Sequence, residues 1–264
     1  MFKKLWRIFV VTVAQYLNYR LSFVLWRVRN VMNFVLIYFL WTSVYQTSGT
    51  LFGYSKETMV TYILFSNLVY AIVLSGRTAD LAGDILSGAI INNLLKPISI
   101  FSYTIARELA DKAINVGFAV VEIGLLILLF QPKLVPLHDS ATLPFILLAL
   151  ISACGISFFI SLVLSFIAFW TEEVWAPRFI FFILVSMLSG SFFPIDILPK
   201  PLEIALLLTP FPYLVYFPAK LFISGLQPDL ILPFVISFVW VGVLYFAAKN
   251  IWKAGMKNFS FYGR

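Results

Sequence analysis

Apolar residues in this chain run in long blocks rather than alternating every second position, and Arg, Lys, Asp and Pro collect in the short gaps between blocks. A helix needs about 20 mostly apolar residues to cross the hydrocarbon of a bilayer. By that measure the pattern predicts six spans, at 31–47, 59–76, 114–130, 143–170, 175–193 and 231–248. A further apolar stretch, 202–225, contains Pro210, Pro212 and Pro218. A continuous lipid-facing helix there would leave backbone groups unpaired, whereas broken helices are tolerated where protein or a water-filled cavity covers them. It is therefore expected to be a re-entrant helical pair. In the first 20 residues Phe2, Leu5, Trp6, Phe9, Val10 and Val13 recur at helical spacing beside Lys3, Lys4 and Arg7. That pattern predicts an interfacial helix with its cations near anionic headgroups. A signal peptide fits poorly, because Tyr19-Arg20 intervenes and no small-x-small cleavage site follows.

Composition narrows the class. Of 264 residues, 61% are hydrophobic and 12% charged, about half the charge of a soluble domain. A water-soluble globule and a disordered chain are both excluded. The single cysteine, Cys154, excludes a disulfide scaffold and is expected to be a packing residue. The net charge of +7 raises nucleic acid as a partner, but the cations sit at the ends of apolar blocks. With six spans and both termini cytoplasmic, only Lys56, Lys133, Lys200 and Lys220 of the 19 basic residues fall outside. Counting 202–225 as a seventh span would send Lys249, Lys253, Lys257 and Arg264 outside and weaken that bias. Trp26, Trp170, Trp175 and Trp252 fall near the inner boundary and Trp41 near the outer one, the placement of aromatic belts. The expectation is an all-α polytopic protein of the plasma (cell inner) membrane, one domain over 1–264, with membrane lipid but no nucleic acid as a partner.

Chemical machinery is sparse. No G-x-x-x-x-G-K-[ST] phosphate loop occurs, and His138 is the sole histidine. It lies beside Asp139 in a short loop, where an exposed loop histidine is a better reading than a catalytic one. No catalytic, metal-binding or cofactor-binding residues are assigned, and an enzyme acting on lipid would lack its polar constellation. Glu122 is the one acid deep in a predicted span. Arg107 and Lys112 precede it by about three to four helical turns, too far to pair along one helix. Glu122 is expected to face the interior, against a polar side chain or a cargo. An ion-coupled carrier working alone would use such an acid, but would need several.

The segment from Gly76 to Ser99 is too polar at its start to span. Leu81, Ile85 and Leu86 fit one face of a short helix with Asp80 and Asp84 along its flank, Gly88 ends it, and Leu94, Leu95 and Pro97 turn the chain back. Spacing leaves two readings open, a helix that enters a groove on a soluble partner and a simple interfacial loop. Here the chain resembles a known family. Asp84-Ile85-Leu86-Ser87-Gly88 followed by Leu94-Leu95-Lys96-Pro97-Ile98-Ser99 resembles the D-I-x-S-G … L-L-x-P-I-S signature of ABC-2 type exporter permeases, the six-span, daunorubicin-resistance-like group in particular. Gly190 to Pro199 resembles that family's outer G-x-F-F-P-x-x-x-L-P segment. Thr209-Pro210-Phe211-Pro212 through Pro218 and Gly225 resembles its P-F … P … G pattern, and Trp252 … Gly255 … Tyr262-Gly263 its short tail.

The resemblance implies the permease subunit of an exporter moving a hydrophobic or amphipathic compound (drug-like, lipid or peptide). It has no ATPase site of its own: two separate ATPase subunits hold ATP and Mg, and a second permease copy or paralogue completes the path. The region 77–99 is implied to be the coupling region, with Asp80, Asp84, Ile85, Leu86, Gly88, Leu95 and Pro97 at the ATPase contact. Glu172 and Glu173 would be a lesser contact, unless they are ordinary loop charges. Residues 1–20 would be the elbow helix and 194–225 the outer re-entrant cap. Spans two and five would line the path through Phe65, Tyr70, Phe181, Phe182 and Met187, with Glu122 of span three as a further candidate, although for any one of those five side chains a place against lipid or a neighbouring helix is the better reading. A lipid-linked glycan is the alternative cargo.

Overall fold

The computed structural model describes residues 2–18, 20–46 and 49–259, with the side chains of 2, 16–18, 20–23, 26 and 258 left out. Expectations that used Phe2, Arg20 or Trp26 side chains, Tyr19, Tyr262, Gly263 or Arg264 lie outside that set. The chain is 77% helical. Among the described residues eleven α-helices succeed one another: α1 Phe2–Asn18, α2 Arg20–Val44, α3 Lys56–Val73, α4 Asp80–Leu86, α5 Ile90–Leu94, α6 Ile100–Phe130, α7 Leu143–Phe166, α8 Trp175–Leu188, α9 Lys200–Leu207, α10 Tyr216–Ser224 and α11 Ile231–Asn258. Between α2 and α3 a hairpin pairs β1, Thr50–Leu51, with β2, Tyr54–Ser55, across Phe52 and Gly53, both at positive φ. Strands this short leave no alternating pattern in the sequence.

Among the described residues, three segments are long and apolar enough to cross a membrane: Ile100–Phe130, Ser140–Phe169 and Pro228–Lys257. Trp175–Leu188 is apolar but shorter. Helices α2 and α3 stand where the first two spans were expected, yet carry Arg27, Arg29, Asn30 and Asn33, and Lys56, Glu57 and Asn67, respectively. The remaining expected spans therefore rest on pattern rather than on apolar length. At 31 residues α6 is about 46 Å long, well beyond a hydrocarbon core of about 30 Å. Helix α1 packs along it. Helix starts obey local chemistry: the Ser55 hydroxyl accepts from Thr58 N at the start of α3, and Ser99 from Ser102 N at the start of α6.

The core has three parts. Helix α7 packs along α11, and α3 lies at the centre against α2, α6, α7 and α10. At the end that carries 77–99, Leu81, Ala82 and Ile85 of α4 are buried against Leu162, Phe166 and Phe169, where Trp252 closes an aromatic cluster. At the opposite, proline-rich end, α10 is buried through Tyr216, Phe217, Pro218, Ala219 and Leu221, while α9 buries none of its residues. Two short helices thus occupy the stretch read as a re-entrant pair. Trp41, expected near the outer boundary, is 7% exposed and its indole donates to Phe192 O at 2.8 Å, where the 190–199 loop folds over it. Helix α8 is loosely packed along its length, with Val185 its one buried residue.

Polar ties fix the proline-rich end. Tyr54 Oη donates to Asp196 Oδ2 at 2.7 Å, and Lys220 Nζ donates to the same carboxylate oxygen at 2.6 Å and to Tyr54 Oη at 2.9 Å. Burial, and then the Asp196 charge, push the Tyr54 phenol well above its ordinary pKa, so it stays a donor. Tyr62 Oη donates to Gly190 O at 2.6 Å. Gly190 has φ 80°, and a Cβ there would sit 2.7 Å from Tyr216 Cβ. Gly190→Ala is therefore expected to cost about 2 kcal/mol through left-handed strain and overpacking, seen as a lowered Tm in detergent. Ser189→Ala removes a buried hydroxyl without a hydrogen-bond partner and should leave Tm unchanged or raised.

Candidate functional site

The segment linking α3 to α6 is anchored by a buried ion pair that hydropathy and motif spacing do not point to. Where α3 ends, its last carbonyls lose their helical partners. Lys112 Nζ, from α6, donates to three carbonyl oxygens there: Ile72 at 3.0 Å, Val73 at 2.9 Å and Ser75 at 2.8 Å. A buried ammonium needs a counter-charge, and Glu108, one turn earlier, lies 3.4 Å away. The other carboxylate oxygen of Glu108 accepts from Arg77 N at 3.1 Å and Thr78 Oγ1 at 2.8 Å. Glu108 and Lys112 are 5% and 8% exposed. Gly76 makes room for them, since a Cβ there would collide with the Glu108 carboxylate. The signal available in the sequence is the four-residue spacing of an acid and a base on one helix.

Beyond this anchor the expected coupling residues divide. Ile85 points inward with Leu81 and Ala82, whereas Asp80, Leu86, Leu95 and Pro97 are exposed, Leu95 at 79%. Leu86 therefore leaves the face that Leu81 and Ile85 share. Asp80 pairs with Arg107 of α6 at 2.6 Å, a half-exposed contact worth under about 1 kcal/mol. Asp84 accepts from Asn93 Nδ2 at 3.1 Å, tying α4 to α5. Gly88, at φ 74°, lies just past the end of α4. A second anchor comes from α8: Arg178 Nη2 donates to Ser165 Oγ at 2.6 Å and reaches Ala79 O at 3.5 Å, while Ser165 Oγ donates to Thr78 O at 2.8 Å. Glu173 accepts from Trp175 N and Ala176 N, so this loop acid caps α8; Glu172 is exposed.

A cavity of about 900 Å³ opens between α2, α3, α6, α7 and α8. Of the expected path residues, Glu122, Tyr70, Phe181 and Phe182 line it. Phe65 lies apart, stacked on Phe222 at 4.2 Å, and Met187 is exposed on α8. Glu122 faces this interior and meets Arg27 at 3.5 Å. Arg27 also donates to Asn115 Oδ1, and Asn115 Nδ2 donates to Asp111 Oδ2 at 3.0 Å. By sequence Arg27 counts only among the flanking cations. Its partner lies 95 residues away, beyond the reach of periodicity. His138 is exposed in its loop near Gly225, and Cys154 packs beside the central core.

Residues 31–263 match the family model described as ABC-2 family transporter protein. No curated protein matches the chain.

Removing one partner of a buried ion pair costs about 3–5 kcal/mol, because the other charge stays buried without compensation. Lys112→Met should lower stability by that amount, and adding Glu108→Gln should recover part of it. Unfolding of the single and double variants in detergent checks this. Fully additive losses would show that the two side chains act separately.

Proposed function

The chain belongs to the ABC-2 transporter family, a membrane component of ABC-type transport, and from that premise we propose that it is the permease subunit of an exporter driven by ATP hydrolysis on separate ATPase subunits. In this reading the ATPases dock on the exposed rim of 77–99, two of them serving a pair of permeases. ATP and Mg stay on the ATPases. Helices α2, α3, α6, α7, α8 and α11 are the six spans, both termini are cytoplasmic, α1 lies in the inner interface, and α9 with α10 forms the outer re-entrant cap. The cargo is a hydrophobic or amphipathic compound, and its path includes the cavity beside Glu122.

One observation carries this reading. The 77–99 segment presents Leu86 and Leu95 outward while its base is clamped by Glu108 and Lys112 to α3 and α6, and by Arg178 to α7 and α8. An exposed apolar residue above a rigid base suits a contact that transmits force. A push on that rim reaches four membrane helices through hydrogen bonds and one buried ion pair. It also acts at the end of the cavity where Arg77 and Arg178 lie.

Leu95→Asp places a charge on the rim without touching the core, and should weaken association with the cognate ATPase by about ten-fold or more while leaving Tm unchanged. Co-purification from detergent and cargo-stimulated ATP hydrolysis read this out. Uphill flux by the purified chain alone in vesicles would overturn the proposal, as would accessibility labelling that places Leu95 on the external face.

A further inference from the structure

Three helices show the same gradient along the cavity wall. On α6 the lining passes from Asp111 and Asn115 to Ile123 and Leu126, on α8 from Arg178 to Phe181, Phe182 and Val185, and on α2 from Arg27 and Arg29 to Phe34. Among the described residues the polar part holds four guanidinium groups, Arg27, Arg29, Arg77 and Arg178, against two carboxylates, Asp111 and Glu122. Arg27 is paired with Glu122. Arg77 donates to Gln15 Oε1 at 2.6 Å and Arg178 to Ser165 Oγ, with the Asp80 carboxylate also acting on Arg178. A positive-inside bias accounts for cations at a membrane boundary, but not for their gathering on the wall of one cavity. Guanidinium groups in a site partly withdrawn from water favour an anion, and their planar donor forks match phosphate oxygens.

We infer that the cavity takes an amphiphile with an anionic, phosphate-type head at the arginines and an apolar chain along Phe34, Phe181, Phe182 and Leu126. This rests on the cavity being part of the cargo path and names the class of compound that the path selects. The volume of about 900 Å³ is that of a site for one such molecule rather than a channel for small ions. Glu122 sits where head gives way to tail, and its pairing with Arg27 offsets its charge there. The same wall that rejects a cation by charge rejects a free inorganic anion by leaving its apolar half unfilled.

The test is equilibrium displacement of a fluorescent-chain phosphatidic acid from the purified full-length chain in a neutral maltoside detergent. Dodecyl phosphate should displace it at about ten-fold lower concentration than dodecylphosphocholine, which shares the chain but carries no net charge. Inorganic phosphate should not displace it in the same range. Replacing Arg29 and Arg178 together by Gln should abolish the preference, and replacing both by Lys should keep most of it, with melting curves confirming that each variant is folded. Equal displacement by the two alkyl compounds, displacement by inorganic phosphate alone, or a preference that survives the double Gln change would each overturn the inference. ATPase association is read separately, so an anion-blind cavity with intact docking sinks this inference alone, and lost docking with anion preference intact sinks the coupling reading alone.

Discussion

A helix that ends among apolar neighbours leaves carbonyl oxygens that neither water nor the next turn satisfies. In this protein Lys112 satisfies three of them at the end of α3, and every other feature of that corner stems from burying its charge. Glu108 supplies the counter-charge, and its spare lone pairs then fix Arg77 N and Thr78 Oγ1. Gly76 is needed because the carboxylate stands where a Cβ would be. The exit from α3, the start of the 77–99 segment and the body of α6 thus form one rigid unit. The clamp joins the base of that segment to both helices at once.

The parts of the fold that are legible in the sequence are those set by local pattern. The predicted starts at 143, 175 and 231 coincide with the first residues of α7, α8 and α11, since continuous apolar runs leave little choice. The beginnings of α2 and α6 escape it, because their first turns mix charge with apolar residues and a hydropathy criterion reads only the membrane-like portion. Proline spacing marks the broken helices α9 and α10. The family resemblance is readable for a related reason: its motifs sit at chain reversals, where Gly, Pro and short polar residues are demanded by backbone geometry. Three-dimensional pairings are not legible. Arg27 with Glu122 joins positions far apart in the chain, and the carbonyl partners of Lys112 carry no side-chain signature at all. Of the expected path, the aromatic positions on α8 and the acid on α6 converge on one cavity, but Phe65 is drawn by ring stacking into packing with α10.

The two ends of the bundle are held by different means. At the proline-rich end, Tyr54, Asp196 and Lys220 form a closed set of hydrogen bonds, and Tyr62 reaches the Gly190 carbonyl across a contact that excludes any side chain. At the other end, aromatic packing of Phe166, Phe169 and Trp252 supports α4 from below while its upper surface stays open. The exposed rim of 77–99 adds little of its own to stability, since Leu86, Leu95 and Pro97 stay open.

Between these ends stands α8, with a single buried residue along fourteen. It is held at its ends more than along its length: Glu173 and Arg178 fasten its start, and the Tyr62 bond to Gly190 fastens the turn just beyond its last residue. A helix with few lateral contacts loses little packing energy when it shifts, so displacement costs little there. Helix α8 is also one wall of the cavity and supplies Arg178, which touches both Ser165 and the first residues of the 77–99 segment. The least-packed wall is therefore the one wired to the exposed rim. Under the proposed coupling, a change at the rim would reach the cavity through Arg178 and α8, while the clamp at Glu108 and Lys112 ties the same segment to α3 and α6.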